Sequence, residues 1–596
     1  MLKTAFYVFQ FVSVLLEPFL TSDLIKTPND LLPFYDYIIV GSGSAGSVLA
    51  ARLSESGKHN ILLLEAGPEE IALPYAHVPG LLLFLHKTRI DWQYKTVAQE
   101  SCCDSIQNNE ILWARGKVLG GTSIINSMFH VRAQKGDYDR WEKEYGLREW
   151  SWKNVLPYYK KLERVSWDSP DREQRGLDGV INCVKAPKTL LGEIFLNAAE
   201  EVGWNIVDDY NGKNQIGFSR LQLSTKNGAR HSVTRAYLRP SMKRKNLHVV
   251  TNAQVTKLLI DKNRVNGVEY VYKGLKFAIN AQKETVIAAG TIESPKILML
   301  SGIGPKKHLE EHKIKVIKDL PAVGRYLRDH ALTTVFASVN ESIGISAGEL
   351  TSVVSSVQGM HYYFGNGSGP YTWPQVEIMG YMNSGYLPNL DVPDLQGYFI
   401  PVDMMHSGGF NYLTNTKTEV TKATHGSLSG RQAMTLASCL LQPQSVGEIK
   451  LNSSDPLQYP LVNPKYFYNT KDIKILAKGL ENLINIVKMA PSFRKYDGKI
   501  SESVTPGCEH IEMWTEKYLE CLVKQRTVTL HHPIGTCRMG NNLETSVVDS
   551  RLRVHGINGL RVVDSSVFPD HVSANTHIPV VMTAEYASDM ILNDAL

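Results

Sequence analysis

The chain lacks the features that mark membrane, nucleic-acid and metal-binding proteins. A bilayer-spanning helix needs ~20 apolar residues in a row, and the one sustained apolar run, Ala5 to Leu16, stops short of that. Charge is nearly balanced: 64 Lys and Arg stand against 59 Asp and Glu, a formal net of +5. The single tight basic run, Lys243-Arg244-Lys245, reads as a solvated turn before a strand, so nucleic acid is not an expected partner. Of the seven cysteines none has CxxC or His/Cys spacing, which excludes a zinc site of the usual kind. No repeat or low-complexity tract interrupts the chain, and 43% apolar with 21% charged residues is an ordinary globular composition. At 596 residues the chain exceeds what a single core of ~250 to 300 residues supports, so two or more lobes are expected.

What is present begins at the N-terminus. Lys3, the apolar run and then Thr21 and Ser22 give the layout of a secretory signal peptide over residues 1–22. Sequons at Asn340, Asn366 and Asn452 agree with a secreted, extracellular glycoprotein. Export would permit disulfides, and Cys508 with Cys521, flanking a short helical stretch, is the expected pair. The adjacent Cys102 and Cys103 are not expected to bridge each other.

Residues 35 to 55, "YDYIIVGSGSAGSVLAARLSE", read as a buried strand, a glycine-rich turn and a helix, and "HNILLLEAG" as a second strand ending on Glu65. Gly41, Gly43 and Gly46 make G-x-G-x-x-G, with Ser44 and Ala45 inside it. The first glycine permits the turn, the second lets backbone approach a pyrophosphate, and the third lets helix pack on strand. Glu65 is placed for a ribose hydroxyl and disfavours a 2′-phosphate, leaving FAD or NAD. Further buried strands, "LHVVT" (247–251), "ETVIAAG" (284–290) and "LRVVD" (560–564), are hundreds of residues apart, so one sheet must be assembled from separated segments. "RGKVLGGTSIINSMF", 115 to 129, adds a second glycine loop with hydroxyls suited to a pyrophosphate and a flavin edge.

With "GKVLGGTSIINSM" (116–128), "GTIESPKILMLSGIG" (290–304), "LPAVGRYLRDH" (320–330), "HPIGTCRMG" (532–540) and "RVVDSSVFPDHVSANTHIP" (561–579) in order, the sequence resembles the glucose-methanol-choline (GMC) family of FAD-dependent oxidoreductases. The likeness runs from Tyr35 to Ile591 and is closest to the animal branch with glucose dehydrogenase (acceptor) and salicyl alcohol oxidase. It implies an α/β fold: a Rossmann-like FAD-binding domain assembled from discontinuous segments, plus an antiparallel-sheet substrate-binding domain. The implied boundaries are 36–331 for the N-terminal FAD-binding region, 332–440 for a substrate-domain segment and 441–587 for the C-terminal region. By the same resemblance Gly41, Gly43, Ser44, Ala45, Gly46 and Glu65 hold the ADP half of FAD. Arg115, Val118, Gly121, Thr122 and Asn126 line pyrophosphate and flavin, Val255 touches the adenine, and Asp564 faces the ribityl chain. Ile125 stands where some relatives carry a flavin-linking histidine, which implies non-covalent FAD. His130 replaces a common aromatic or alanine.

An alcohol gives up hydride readily only as its hydroxyl proton leaves, and histidine suits that removal with an ordinary pKa near ~6.5. The "HH" pair at 531 and 532, if extended, must point to opposite faces. The resemblance makes His532 the base, so His531 points away. His577 is the second site residue, orienting the substrate oxygen, although either imidazole is able to take the proton. Asn575 or Thr576 caps the following helix, whose positive end would face the flavin. The aromatic stretches "MHYYF" and "GPYTWPQVEIMGYM" suit an apolar pocket. The expected reaction is oxidation of an aromatic or terpenoid primary alcohol to the aldehyde with O2 as acceptor. The alternatives are a glucose dehydrogenase using a quinone, and an inactive FAD-bearing paralogue with a binding role.

Overall fold

The computed structural model describes residues 23–344, 367–388, 391–402, 414–425, 428 and 431–595. The signal-peptide stretch, Asn366 and "MHYYF" lie outside them.

Strand β1 (Phe34–Val40) and β2 (Ile61–Leu64) are nearly continuous apolar runs because helices and loops cover both faces of their sheet. Helix α1 (Gly46–Leu53) crosses between them, and Tyr37 pairs in parallel with Ile61. β3 (Leu247–Val250) lies parallel beyond β2. A meander of β4 (Ala253–Asp261), β5 (Arg264–Tyr272) and β6 (Leu275–Ile287) follows, and the second half of β6 runs parallel along the other edge of β1. Leu560–Val562 then pairs in parallel with the end of β6, completing seven strands. All the strands read from the sequence therefore meet in one sheet, while the β4–β5 hairpin was not among them. Helix α2 (Gly290–Leu300) leaves β6 through Ala288 and Ala289.

The second lobe is an antiparallel sheet of β7 (Ala331–Val339), β8 (Ile378–Met382), β9 (Leu395–Ile400) and β10 (Gln432–Leu440), in the order β8-β9-β10-β7. Helix α3 (Lys471–Met489) buries Ile475, Leu476, Leu480 and Leu483 with Leu436 and Phe399 in a core separate from that of the nucleotide lobe. Helix α4 (Glu516–Arg526) is tied at Cys521 to Cys508 as expected. After it, Val528–Thr529 pairs with the start of β7, Ala331 opposite Thr529. That register sets the residues just before β7 beside the residues just after Thr529. Helix α5 (His577–Asp594) packs on α1, with Glu585 paired to Arg52 at 2.8 Å.

Two expectations fail here. Cys102 and Cys103 are bridged, because Cys103 takes a left-handed backbone (φ 77°) that turns adjacent side chains toward each other. Cys183, Cys439 and Cys537 are free and buried. The aromatics of 369–382 are core rather than pocket: Tyr371, Trp373 and Tyr381 are buried and line no part of the cleft described next.

Candidate active site

One cleft of about 1620 Å³, including its open mouth, runs from the glycine loop after β1 to the segment after Thr529. Its nucleotide end is backbone shaped by glycine. Gly41 adopts φ 95°, and a Cβ on Gly46 would stand 1.8 Å from Gly41 O, so only glycine lets α1 start there. A Cβ on Gly43 would meet nothing within 4 Å: its face is open to the cleft. Gly121 (φ 53°) approaches from the second loop so closely that its Cβ would lie 2.7 Å from Gly43 Cα. Two bare backbones and the N-terminus of α1 thus form a cradle that a pyrophosphate fits. Ser44, Ala45, Thr122 and Val255 line the same end.

Glu65, at the end of β2, accepts from Ser42 N (2.9 Å), Ser42 Oγ (2.7 Å) and Gly67 N (2.8 Å). Burial raises its pKa and these donors oppose the rise. Asp564 is fixed in the same manner by Gly290 N (2.9 Å), Ser294 Oγ (2.6 Å) and Ser566 N (2.8 Å), with its pKa also raised by burial. Arg230 Nη1 donates to Asn126 Oδ1 (2.8 Å) and to the carbonyls of Asn126 and Ser123, locking the second loop. Val118 is not among the residues that line the cleft: it is buried in a small core with Leu85, Ile90 and Ile124, its backbone nitrogen close to Gly67. His130 likewise sits outside the cleft, buried between Ser224 Oγ (3.0 Å) and Glu163 Oε2 (3.1 Å).

The redox end is assembled from side chains. Asp329 and His330, just before β7, grip the histidine segment. Asp329 accepts from Thr529 Oγ1 (2.6 Å), His532 N (2.8 Å) and the Tyr466 hydroxyl, and burial raises its pKa to about 6. His330 Nε2 lies 3.1 Å from Leu441 O. A carbonyl only accepts, so that nitrogen carries the proton. Burial holds His330 neutral, far below the ordinary imidazole pKa, which leaves Nδ1 bare to accept from His532 Nδ1 at 3.0 Å. His532 is neutral for the same reason and so keeps its lone pair on Nε2. That nitrogen lies 3.4 Å from Asn575 Nδ2 at the cleft surface. His571, stacked 3.5 Å from His330, places Nε2 at 2.9 Å from His532 O.

His577 opens α5, where the helix dipole turns its positive end to the cleft. Its Nδ1 is engaged by Ser44 Oγ at 2.8 Å, leaving Nε2 for whatever is bound, and burial lowers its pKa to about 3. Thr576 occupies the cap position without a side-chain cap bond. His531 overturns the alternation argument: the strand stops at Thr529, His531 takes φ 63°, and both 531 and 532 line the cleft. Arg115 Nη2 donates to His531 O at 2.5 Å. Ile125, Met128, Phe129 and Leu530 contribute apolar side chains to the cleft wall, beside the polar Asn126, Ser127, His531 and Asn575. Asp329, His330, His571 and Arg230 were not assigned roles from sequence, and Asn575 was read only as a candidate helix cap; the "RDH" of 328–330 was the one signal for two of them.

Residues 35–332 and 443–584 match the two family models described as GMC oxidoreductase. The chain is 35% identical over 558 residues to glucose dehydrogenase (FAD, quinone) of Drosophila pseudoobscura pseudoobscura, covering 92% of this chain and 85% of that one. It is 33% identical over 569 residues to alcohol dehydrogenase (acceptor) of Pseudomonas putida, covering 94% and 96%. The crystal structure of formate oxidase is similar with a TM-score of 0.82 at 28% identity, covering 94% of this chain and 98% of that one.

Proposed function

The chain belongs to the GMC oxidoreductase family and is an FAD-dependent oxidoreductase, and from that premise we propose that it oxidises an apolar primary alcohol, aromatic or terpenoid, to the aldehyde and hands the electrons to a quinone. The observation that carries the reading is the unprotonated Nε2 of His532, held in that tautomer by His330, at the surface of a cleft to which Ile125, Met128, Phe129 and Leu530 add apolar side chains. FAD held along the cleft supplies the two-electron acceptor for hydride from the alcohol carbon. The protein's share is proton and position. His532 Nε2 takes the hydroxyl proton, Asn575 Nδ2 and His577 Nε2 orient the oxygen, and the walls of Met128, Phe129 and Leu530 exclude water from the alkoxide. Non-covalent FAD is part of the same proposal, supported by Ile125, which offers no nucleophile. Neutral imidazoles also fit the direction of transfer, since a protonated base does no work.

The apolar side chains of Phe129, Met128 and Leu530 favour an apolar alcohol over glucose, whose hydroxyls gain nothing from them. Dioxygen, the first acceptor expected from the resemblance, yields to quinone because a relative at 35% identity is a quinone enzyme by name. Secretion belongs to the same proposal: the sequons at Asn340 and Asn452 are on exposed residues, and among the described residues no helix is long and apolar enough to cross a membrane. The test is anaerobic bleaching of the yellow holoenzyme by cinnamyl alcohol, geraniol and glucose, followed by duroquinone or air. Bleaching by the apolar alcohols and recovery with quinone is the expected result. Faster bleaching by glucose would replace the substrate, and no bleaching by any alcohol would leave a binding protein.

A further inference from the structure

An inner strand of the second lobe carries two polar side chains in a fully buried position. On β9, Leu395 and Phe399 belong to the core under α3, whereas Gln396 and Tyr398 lie on the alternate face, where Tyr398 joins the core of the nucleotide lobe. Gln396 is 0% exposed and Tyr398 3%. Polar groups so deeply buried are costly unless they are bonded. Neither residue lines the cleft, but Asn575, which they bond, does.

Three hydrogen bonds close a ring. Asn575 Nδ2 donates to the Tyr398 hydroxyl oxygen (3.1 Å), that hydroxyl donates to Gln396 Oε1 (2.5 Å), and Gln396 Nε2 donates to Asn575 Oδ1 (3.4 Å). Counting protons fixes the sense of the ring. Burial keeps the phenol protonated, so it has one hydrogen to give. Of its two acceptors, Gln396 Oε1 at 2.5 Å and Asn575 Oδ1 at 3.5 Å, the nearer takes it. The Tyr398 oxygen is then an acceptor toward Asn575, which must present its NH2 group. The other hydrogen of Gln396 Nε2 faces Met379 Sδ, a weak acceptor, at 2.7 Å. Turning either amide over would set two acceptors face to face, at His532 Nε2 for Asn575 and at Met379 Sδ for Gln396. The main chain nearby is anchored independently: Asp137 accepts from Ser573 N (2.9 Å) and Ser573 Oγ (3.0 Å), and α5 begins at His577. What the ring fixes is the turn of the Asn575 amide.

We propose that Gln396 and Tyr398 are positioning residues for the oxidation: they hold the Asn575 amide so that its second Nδ2 hydrogen is aimed at the alcohol oxygen beside His532 Nε2. The assignment rests on the alcohol reading above. Asn575 touches the substrate, and Gln396 and Tyr398 act only through it. As the O–H bond breaks and its proton passes to His532 Nε2, the oxygen becomes negative, and a hydrogen bond to it strengthens. Correct aim therefore speeds proton removal more than it tightens binding of the neutral alcohol. In the empty site the same hydrogen meets the lone pair of His532 Nε2 at 3.4 Å.

Tyr398→Phe removes the hydroxyl and keeps the ring, whose centroid lies 5.7 Å from that of Phe129 on the cleft wall. Gln396→Met keeps the length of the side chain without its donors and acceptor. Each variant is expected to lower the limiting rate of anaerobic bleaching by cinnamyl alcohol roughly three- to ten-fold, the effect of one hydrogen bond, with the half-saturating alcohol concentration unchanged. In an Asn575→Ala background, Tyr398→Phe should change that rate by about two-fold at most, because both substitutions act through one amide. Wild-type limiting rates in both variants, or the full loss repeated in the Asn575→Ala background, would mean that the pair only packs and overturns the assignment. So does a change confined to the half-saturating concentration. If no alcohol bleaches the wild-type holoenzyme it is the functional reading that has failed, and a crystal structure of the double variant Gln396→Met/Tyr398→Phe still decides the clamp. The Asn575 amide is expected to swing away from His532 in that structure, and an amide still 3.4 Å from His532 Nε2 overturns the assignment.

Discussion

The two ends of the cleft are built on opposite plans. The nucleotide end is mostly main chain: two glycine loops in contact, a helix N-terminus and the Glu65 carboxylate, which is itself bonded to Ser42 and Gly67. The redox end is nearly all side chain, with Asp329, His330, His532, His571, Asn575 and His577 drawn from three stretches of sequence. A main-chain cradle recognises charge and shape, which FAD carries unchanged through the reaction. A side-chain cluster is able to hold or release a proton, which the reaction requires. Substitutions at the first end should therefore cost cofactor, and at the second should cost rate with cofactor retained.

The largest effect expected is on rate alone. His532→Ala should slow alcohol-driven bleaching by roughly 10²- to 10⁴-fold, the span of a general base, with FAD content unchanged by absorbance. Wild-type bleaching in that variant would remove His532 from the chemistry and leave His577 as the base. At the other end, Gly46→Ala forces a Cβ to within 1.8 Å of Gly41 O. Relieving that contact costs about 1 to 3 kcal/mol, so FAD retention on dialysis should fall about ten-fold or more. A Gly46→Ala protein that keeps its flavin but reacts slowly would break the division between the ends.

That division also decides what could be read from sequence. The glycine loop, β1 and β2 form one supersecondary unit in which each residue's partner is nearby, so spacing suffices. At the redox end the partner of His532 is His330, 202 positions away, and the pairing depends on Ala331 lying opposite Thr529. Nothing in "LRDH" states that register. The orientation of His531 was misjudged for a local reason: alternation holds along a strand, and a left-handed residue ends it. The backbone of Cys103 defeated the disulfide expectation in the same way. Val118 was assigned by its place in a motif, and the side chain is packed in a small core beside the cleft.

A subtler substitution separates tautomer from base. His330→Leu keeps His532 but removes the acceptor of its Nδ1 proton, so a fraction of His532 would carry the proton on Nε2 and be useless as a base. Loss of one such hydrogen bond, ~1 kcal/mol, predicts a fall in the bleaching rate of roughly three- to ten-fold. His330→Asn, whose amide oxygen is able to accept near the same place, should recover most of it. Equal losses in both variants would mean that His330 contributes packing only.

A last effect is on stability rather than rate, and it distinguishes the titrating end from the cradle. His571 and His577 are buried with pKa values lowered to about 3. Above the unfolded value of ~6.5 neither state binds the proton and pH is without effect through these groups. As pH falls below it, the unfolded chain takes protons that the folded imidazoles refuse, so each histidine removes about 1.4 kcal/mol of stability per pH unit until its folded pKa is reached. Glu65 and Asp564, with raised pKa values, act in the other sense: the folded state gains relative to the unfolded as pH falls through their folded pKa. Denaturant unfolding of wild type and His577→Asn at pH 7 and pH 5 isolates one histidine, because asparagine does not titrate. The variant's drop between the two pH values should be smaller by about 2 kcal/mol, which is one proton over 1.5 units. An identical drop would show that His577 is protonated as readily in the fold as outside it, and the helix end at the cleft would then carry a cation instead of a neutral donor.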